Sequence, residues 1–270
     1  MGFKRCAAIS GGSTLTIAPR TASTTIGLGS GIAGALNLDD AELAFLSNGF
    51  SSITFGSSSA TGKIIVGAFT YSDYLRLYNY GAASGGIEFT GAVNTGTDNL
   101  TLYTTGTVTQ GTNGSISAAG LELLGSGATY TLTNANNAIT TLAGNTGTVS
   151  FLENSGFAIG TVNTVGLTAS ASVTLNSTGT VTQSNLISTP SLLLLGTAGV
   201  YTLTNTSNAI TTLAGNTGTV SLVENSGFAI GTVNTVGLTT TGDLTLSSTA
   251  GISIAANVSS GAGAQSYTAP

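Results

Sequence analysis

Hydrophobic and polar residues alternate along most of the chain in short runs. Clear examples are TYTLT, GTVSFL, AIGTV, SVTLN and GTVTQ, each bounded by Gly, Asn, Ser or Thr residues. Strict alternation puts apolar side chains on one side of an extended strand and polar side chains on the other. Thr, Val, Ile and Tyr favour strands, whereas Gly and Asn favour turns. The pattern therefore predicts an all-β protein with strands of three to five residues.

One segment, NLDDAELAFLSNG at residues 37–49, departs from this alternation and spaces its leucines as a helix does. Asp39 or Asp40 can cap the start of a short helix, and Gly49 can end it. An acidic residue in the first turn, such as Glu42, also interacts favourably with the helix dipole. These acidic residues are therefore interpreted as a cap and a solvated first turn rather than as a catalytic group.

A long internal repeat occupies the second half of the chain. The sequence AGNTGTVSFLENSGFAIGTVNTVGLT begins at Ala143 and returns from Ala214 with two apolar replacements, an offset of 71 in the numbering. The same offset relates YTLTN at Tyr130 to YTLTN at Tyr201. One third of 71 is about 24, a coil length typical of solenoids. We therefore predict a parallel β-helix, or β-solenoid, with about 24 residues per coil and three coils per repeat. An array of β-sandwich repeats is the alternative, because short strands with turn signals also describe it.

The repeat and its flanks predict five segments along the chain. They are N-terminal coils or a cap (1–36), divergent solenoid coils with a tyrosine cluster (37–120), a first repeat unit (121–191), a second repeat unit (192–262) and the start of a further, incomplete coil (263–270).

The composition limits the chemistry that the chain can perform. Only 6% of the residues are charged and 39 are Gly, so the outer surface must consist largely of Thr, Ser, Asn and Gly. His and Trp are absent, and Cys6 is the only cysteine. A single thiol can form neither an internal disulfide nor a thiolate metal site. We therefore expect no enzymatic activity and no cofactor.

The distribution of charge argues against two classes of partner. All five basic residues lie within the first 76 positions, and the chain has a net charge of -5 and a pI of about 4.3. Such a chain has little with which to neutralise phosphates, so we expect no nucleic-acid binding. No apolar run approaches the roughly 18 residues of a membrane-spanning helix, so we expect no membrane insertion.

Several motifs resemble the repeat regions of filamentous-haemagglutinin-like large exoproteins, which include two-partner-secretion and autotransporter adhesins. The motifs are NLDDAELAFL from Asn37 with the following ITFGSSSATGKIIV, GLTTTGDLTLSSTAGISIAA from Gly237, and the terminal GAGAQSYTAP. The resemblance implies an extracellular or cell-surface location within a longer exported protein. It also implies a stalk, fibre or adhesive role for the repeats.

The segment YSDYLRLYNYG contains the densest group of aromatic residues, Tyr71, Tyr74, Tyr78 and Tyr80. Aromatic rings with polar tips are common where protein surfaces bind sugars or other proteins. The four tyrosines are therefore candidate ligand-binding residues, although some of them could equally be interior or coil-stacking residues.

Four asparagines, Asn134, Asn137, Asn205 and Asn208, recur at matching positions of the repeat. Asparagines stacked on successive strands can bond along the stack as ladders. We predict such a ladder here, with a structural role. No metal-binding pattern is present, because the Gly-Gly-x-Gly-x-Asp repeat of calcium-loaded β-rolls is missing.

Glu153 and Glu224 are the repeated acidic residues and the obvious pair to test for glycosidase chemistry. If three coils separate them, they lie roughly 14 Å apart, at about 4.8 Å per coil. Two cooperating carboxylates of a glycosidase lie about 5 to 9.5 Å apart. The predicted separation does not support catalysis.

These observations favour a non-enzymatic structural and adhesive module. It would attach to a host, abiotic or carbohydrate surface, or to other copies of itself as a filament, through many weak contacts. A polysaccharide-acting β-helix enzyme is one alternative. An ice-binding solenoid is another, suggested by Thr-x-Thr motifs, but these motifs show no common phase along the sequence.

Overall fold

The chain folds as a parallel β-solenoid. The computed structural model describes residues 8–270, so Cys6 lies outside the described residues. It is 2% helical and has about 10 turns, with successive coils roughly 21 residues apart. The predicted solenoid is confirmed, whereas the predicted coil length, one third of the sequence repeat, was too long. The chain divides into two compact units, Met1–Ala119 and Gly120–Pro270.

The first unit consists of short strands and one short helix. These elements are β1 (Thr14–Ile17), β2 (Ile26–Leu28), β3 (Leu36–Leu38), α1 (Asp40–Leu43), β4 (Ser52–Ser57), β5 (Ile64–Val66), β6 (Phe69–Thr70), β7 (Leu75–Asn79), β8 (Ile87–Phe89), β9 (Val93–Asn94), β10 (Asn99–Thr104), β11 (Thr107–Gln110) and the beginning of β12 (Ile116–Leu132).

Three stacks of parallel strands enclose the core of the first unit. One stack contains β1, β4, β7 and β10, and a second contains β2, β5, β8 and β11. The third contains β6, β9 and the start of β12. Alternation along each strand turns the apolar side chains inward, as for the register partners Phe55, Leu77 and Leu102, which are fully buried. Burial of a side chain of this size contributes about 1.5 to 3 kcal/mol.

The short helix α1 begins as the sequence predicts. The Asp39 carboxylate accepts a hydrogen bond from the Glu42 backbone N–H at 2.9 Å, and the Glu42 carboxylate accepts one from the Asp39 N–H at 3.1 Å. This reciprocal arrangement is a capping box. The predicted end was wrong, because α1 ends well before Gly49. Leu46 is instead extended and forms a parallel bridge with Ile9.

The second unit has longer strands. They are the rest of β12, followed by β13 (Ala138–Leu152), β14 (Ala158–Ile159), β15 (Leu167–Asn176), β16 (Thr180–Gln183), β17 (Ile187–Leu203), β18 (Ala209–Glu224), β19 (Phe228–Ile230), β20 (Thr232–Val233), β21 (Thr235–Val236), β22 (Leu238–Thr240), β23 (Leu244–Ser248), β24 (Ile252–Ile254), β25 (Val258–Ser259) and β26 (Gln265–Thr268).

The longest strands remain paired through places where their register shifts. β17 pairs with β18 along most of its length, with a shift between Gly196 and Val200. Gly196 has a φ of 104°, which side-chain-bearing residues rarely adopt. A Cβ there would lie 2.0 Å from the carbonyl oxygen of Ser177 on the preceding coil. Glycine at this position therefore permits both the backbone conformation and the close approach of two coils.

The coil and the sequence repeat have different lengths. Val149, Val173, Leu192 and Leu213 are consecutive register partners, so three coils carry the chain from Val149 only as far as Leu213. One full sequence repeat from Val149 would instead reach its counterpart, Val220. The prediction of three coils per repeat is therefore wrong. A repeat spans about three and one third coils, and the second copy is rotated by about one third of a turn relative to the first.

Candidate functional site

An aromatic cluster lies on the outer side of the first unit. The parallel register of β7 and β10 puts Tyr78 directly beside Tyr103. Their rings stack with centroids 4.9 Å apart and an interplanar angle of 14°. The Tyr80 ring centroid lies 4.4 Å from that of Tyr103. All three residues are half-buried, so each keeps part of its surface open to solvent.

Arg76 adds a positive charge to this aromatic cluster. Its guanidinium carbon lies 5.9 Å from the Tyr78 ring centroid, which is within the range of a cation–π interaction. Burial raises the pKa of Tyr103, and the neighbouring Tyr80 and Tyr78 raise it further. Tyr103 is therefore a neutral phenol at pH 7. The cluster can stack against the apolar face of a sugar ring and hydrogen-bond its hydroxyl groups.

The structure divides the four tyrosines predicted from the sequence. Tyr78 and Tyr80 belong to the aromatic cluster, whereas Tyr71 and Tyr74 do not. The Tyr74 hydroxyl lies 2.6 Å from the Thr101 hydroxyl on the next coil. Tyr71 is buried, with its ring centroid 4.1 Å from that of Phe69.

Sequence analysis missed Tyr103 as a member of the cluster. It follows Tyr78 by one local coil, the step that separates β7 from β10. Only the register of this coil could have identified it, because the long sequence repeat does not extend to Tyr78.

Hydroxyl-bearing side chains form a second outer surface, on the second unit. In five successive coils, two outward positions that are two residues apart carry Thr or Ser, and all of them lie on a strand except Thr204, which follows the last residue of β17. In the first four of these coils a buried apolar residue lies between the two positions. We call this surface the hydroxyl face. Its members are Thr180 and Thr182, Thr202 and Thr204, Thr219 and Ser221, Thr245 and Ser247, and Ser266 and Thr268.

The strand register aligns the hydroxyl face in two directions. Thr202, Ser221, Thr245 and Ser266 are consecutive register partners. Neighbouring strands lie about 4.8 Å apart, and alternate residues along one strand lie about 6.7 Å apart. Val200, Val223, Asp243 and Ala264 interrupt the outer two columns of this array.

The sequence did not reveal a common phase for these threonines because the coils differ in length. The step along the chain from Thr202 to its register partner Ser221 is shorter than the next step, from Ser221 to Thr245. A fixed period therefore loses the alignment within two coils. The structure recovers a common phase over five coils.

The predicted asparagine ladder does not form between the repeat copies. The column of register partners that contains Ala209 runs back through Ser188 and Thr168 to Asn145 on β13. In the sequence repeat, however, the counterpart of Ala209 is Ala138, a different residue of β13. Residues adjacent to these alanines, such as Asn137 and Asn208, consequently lie in different columns. The rotation by one third of a turn is the physical reason for this correction.

The asparagines instead hold the turns of their own coils. The Asn137 side-chain amide donates to the carbonyl oxygens of Leu132 and Leu152, and Asn208 makes the equivalent bonds to Leu203 and Val223. Asn208 also exchanges amide hydrogen bonds with Gln183 on the preceding coil.

Asn134 and Asn205 have a related role at the preceding bend. Their side-chain oxygens accept hydrogen bonds from the backbone N–H groups of Asn136 and Ser207, respectively. These contacts are typical of asparagine turns.

Glu153 and Glu224 are fully buried and act as structural acceptors. Glu153 accepts from the Ile139 backbone N–H at 3.0 Å and from the Ser155 hydroxyl at 2.6 Å. Burial raises the pKa of Glu153. The two glutamates lie in different columns for the same reason as the asparagines. The predicted separation of three whole coils is therefore wrong, and the interpretation that they form no catalytic pair remains a prediction.

A third buried acid, Glu122, anchors an outward loop. Its carboxylate accepts from the Thr164 backbone N–H at 2.8 Å and from the Asn163 side-chain amide at 3.0 Å. The repeat counterpart of Glu122 is Leu193, which packs against Val233 of the second copy of this loop. A polar anchor in one copy is thus replaced by an apolar anchor in the other.

Within residues 8–270, no group of three or more His, Cys, Asp or Glu side chains is arranged to hold a metal ion. The same residues include no helix with the length and apolar character needed to span a bilayer. Comparison with known protein families, curated proteins and solved structures gives no match to this chain.

Proposed function

We propose that the chain is a non-enzymatic structural and adhesive module that attaches to ordered, uncharged surfaces such as insoluble polysaccharides. The observation that carries this proposal is the hydroxyl face, with its register-aligned Thr and Ser residues in five successive coils. Each hydroxyl both donates and accepts hydrogen bonds, so the array can match a surface that presents hydroxyl groups or bound water.

Attachment by such a surface is multivalent. A single exposed hydroxyl gains little when it exchanges water for another hydroxyl. Ten hydroxyls on one rigid scaffold engage together, because each contact raises the effective concentration of the next. The aromatic cluster of Tyr78, Tyr80 and Tyr103 adds a second contact suited to sugar rings.

The resemblance to filamentous-haemagglutinin-like exoproteins supports the same proposal. It favours an extracellular or cell-surface location within a longer exported protein. Lateral self-association is part of the proposal, because a surface of hydroxyls is complementary to a second copy of itself. Sedimentation velocity over a range of protein concentrations would test this part separately.

The experiment is a binding isotherm of the purified chain on cellulose and chitin, with a charged resin for comparison. Thr202→Lys puts a long charged side chain in the middle column of the hydroxyl face, and we expect it to weaken adsorption at least tenfold. Thr131→Lys is the matched control, because Thr131 is the repeat counterpart of Thr202 in an identical YTLT motif.

The register explains why the control residue is suitable. Val181 pairs with Tyr201, so Thr202 lies above Thr182, and the column continues through Ala158 to Thr141. This column does not contain Thr131, so Thr131 lies outside the hydroxyl face. Equal losses in the two lysine variants, or no adsorption by the parent chain to either polysaccharide, would contradict the proposal.

Ice binding is a second candidate that the hydroxyl face favours. The regular spacing of hydroxyls in two directions could hold water molecules in a lattice, and the face carries almost no charge. Measurement of ice recrystallisation with the parent chain and the same two lysine variants would test whether the hydroxyl face binds ice. Inhibition that Thr202→Lys alone abolishes would support ice as the surface, and no inhibition by the parent chain would exclude it.

A further inference from the structure

We propose that the aromatic cluster and Arg76 together bind an acidic sugar, and that Arg76 selects a uronate over a neutral sugar. This inference rests on the part of the proposed function that assigns the cluster to sugar rings, and it does not involve the hydroxyl face. The Tyr78 and Tyr80 ring centroids lie 6.4 Å apart, and each lies within 5 Å of the Tyr103 centroid. The Arg76 guanidinium carbon is 5.9 Å from the Tyr78 centroid, so the four side chains converge on one outer surface.

Arg76 has no acidic partner among the described residues. Its register partners on the two neighbouring strands are Thr54 and Thr101, which are uncharged. The contrast is with Lys63, whose ammonium group forms an ion pair with Glu88 at 2.8 Å. The described part of the chain therefore neutralises the charge of Lys63 but leaves that of Arg76 available to an anion.

The environment of the Arg76 guanidinium also favours an anion. Arg76 is half-buried, and its enclosed Nε has no hydrogen-bond partner among the described residues. Partial loss of hydration is unfavourable for a cation unless hydrogen bonds or an opposite charge replace the water. Nε itself is out of reach of a ligand, so an anion would bind the Nη groups at the end of the side chain and offset this loss.

A uronate combines the two chemical groups that this surface can bind. Its carboxylate matches the fork of guanidinium N–H donors, which forms paired hydrogen bonds of about 2.7 to 2.9 Å. Its sugar ring can pack against the exposed parts of the tyrosine rings. The Tyr103 phenol is neutral at pH 7 because its pKa is raised, so it does not repel the carboxylate. A neutral sugar would use the aromatic rings alone, and Arg76 should therefore select the acid.

Three soluble probes test the charge requirement. Trigalacturonate and its methyl ester have the same sugar rings and differ in whether the carboxyl groups are charged, whereas acetate supplies a carboxylate without a ring. Titration calorimetry with the full chain at low ionic strength should show trigalacturonate binding at least tenfold more tightly than the ester, and no binding of acetate. The proposal is overturned by equal binding of the acid and the ester, by no binding of the acid, or by acetate binding as tightly as trigalacturonate.

Substitutions then test the role of Arg76. Arg76→Gln should abolish the preference, so that the acid and the ester bind with affinities within about threefold of each other. Lys63→Gln is the matched control, because it removes the same charge from a residue that Glu88 already neutralises, and the preference should remain. Arg76→Lys retains the cation without the planar fork, so it should prefer the acid by a smaller factor than the parent chain does. An unchanged preference in Arg76→Gln, or its loss in Lys63→Gln, would mean that Arg76 does not select the ligand.

The acidic-sugar site and the hydroxyl face can fail independently. Thr202→Lys changes the hydroxyl face, so it should lose adsorption to cellulose but bind trigalacturonate within about twofold of the parent chain. If the parent chain binds trigalacturonate but adsorbs to neither cellulose nor chitin, the acidic-sugar site is supported and the hydroxyl face is contradicted. Adsorption to these polysaccharides without binding of trigalacturonate would overturn the acidic-sugar site alone.

Discussion

Leu142 and Leu213 hold the same position in the long sequence repeat, but they lie on different faces of the solenoid. Leu142 pairs with Ile159 on the next coil, whereas Leu213 lies above Leu192 in the column that begins at Val149. Each copy of the repeat is therefore displaced by about one third of a coil relative to the copy before it. Identical sequence motifs consequently face different directions.

This register can be tested with engineered disulfides in a Cys6→Ser background. Thr202 and Ser221 are register partners on neighbouring coils, so a Thr202→Cys/Ser221→Cys variant should oxidise readily to an intramolecular disulfide. Neighbouring strands lie about 4.8 Å apart, which is within the usual Cα separation of about 4.4 to 6.8 Å for a disulfide.

The matched control is Thr202→Cys/Ser226→Cys, the pair that the longer coil predicted from the sequence repeat would align. It should remain reduced under the same conditions. Mass spectrometry of peptides from non-reduced protein measures both yields. Preferential cross-linking of the control pair would mean that the register described above is wrong.

The sequence was sufficient to predict the class of fold. Alternation within TYTLT and GTVSFL gives the inward and outward faces of each strand, and the repeat shows that the strands recur at regular intervals. The cap at Asp39 was equally accessible, because a capping box depends on residues only three positions apart.

The sequence was not sufficient to predict which residues meet on neighbouring coils. Coil lengths vary because turns and register shifts, such as the one at Gly196, add or remove residues without disturbing the core. The pairing of Tyr78 with Tyr103 and the alignment of Thr202 with Ser221 depend on these local lengths. A prediction that assumes a constant coil length therefore cannot identify either contact.

The buried glutamates of the two repeats should respond differently to the same substitution. Glu153→Gln keeps an oxygen for the Ile139 N–H, and the Ser155 hydroxyl can reverse its hydrogen bond and accept from the new amide. Glu224 instead accepts from two backbone N–H groups, those of Ile210 and Ser226. Glu224→Gln leaves one of them facing an NH₂ group, which should cost about 1 to 3 kcal/mol.

The contribution of Glu153 to stability should also depend on pH. Because its pKa is raised in the folded state, the folded protein binds this proton more tightly than the unfolded chain does. The resulting stability is present below the unfolded pKa and is lost as the pH rises through the folded pKa. Glu153→Gln should therefore raise the free energy of unfolding at pH 7, and its advantage should shrink as the pH falls toward and below about 4.5. Urea titrations of both variants at pH 4 and pH 7 measure the effect, and a loss of stability in Glu153→Gln at pH 7 would refute it.

The core of the second unit should be sensitive to cavities at single positions. Leu192 is fully buried between Val173 and Leu213, so Leu192→Ala should reduce the free energy of unfolding by about 2 to 5 kcal/mol. Leu195 lies on the same strand but is only half-buried, and Leu195→Ala should cost less. Chemical denaturation of the two variants provides the comparison, and equal losses would argue against the inward position of Leu192.

The aromatic cluster should contribute to binding through stacking rather than through one hydroxyl. The Tyr103 ring contacts both Tyr78 and Tyr80, so Tyr103→Ala removes the centre of the cluster. Stacking of this kind contributes about 0.5 to 1.5 kcal/mol beyond the burial of area. We therefore expect adsorption to insoluble polysaccharide to weaken about threefold to tenfold in Tyr103→Ala and to change little in Tyr103→Phe, which retains the ring. Binding isotherms on the polysaccharide used for the Thr202→Lys variant measure both. If Tyr103→Ala binds as the parent chain does, the cluster only holds neighbouring coils together and attachment depends on the hydroxyl face.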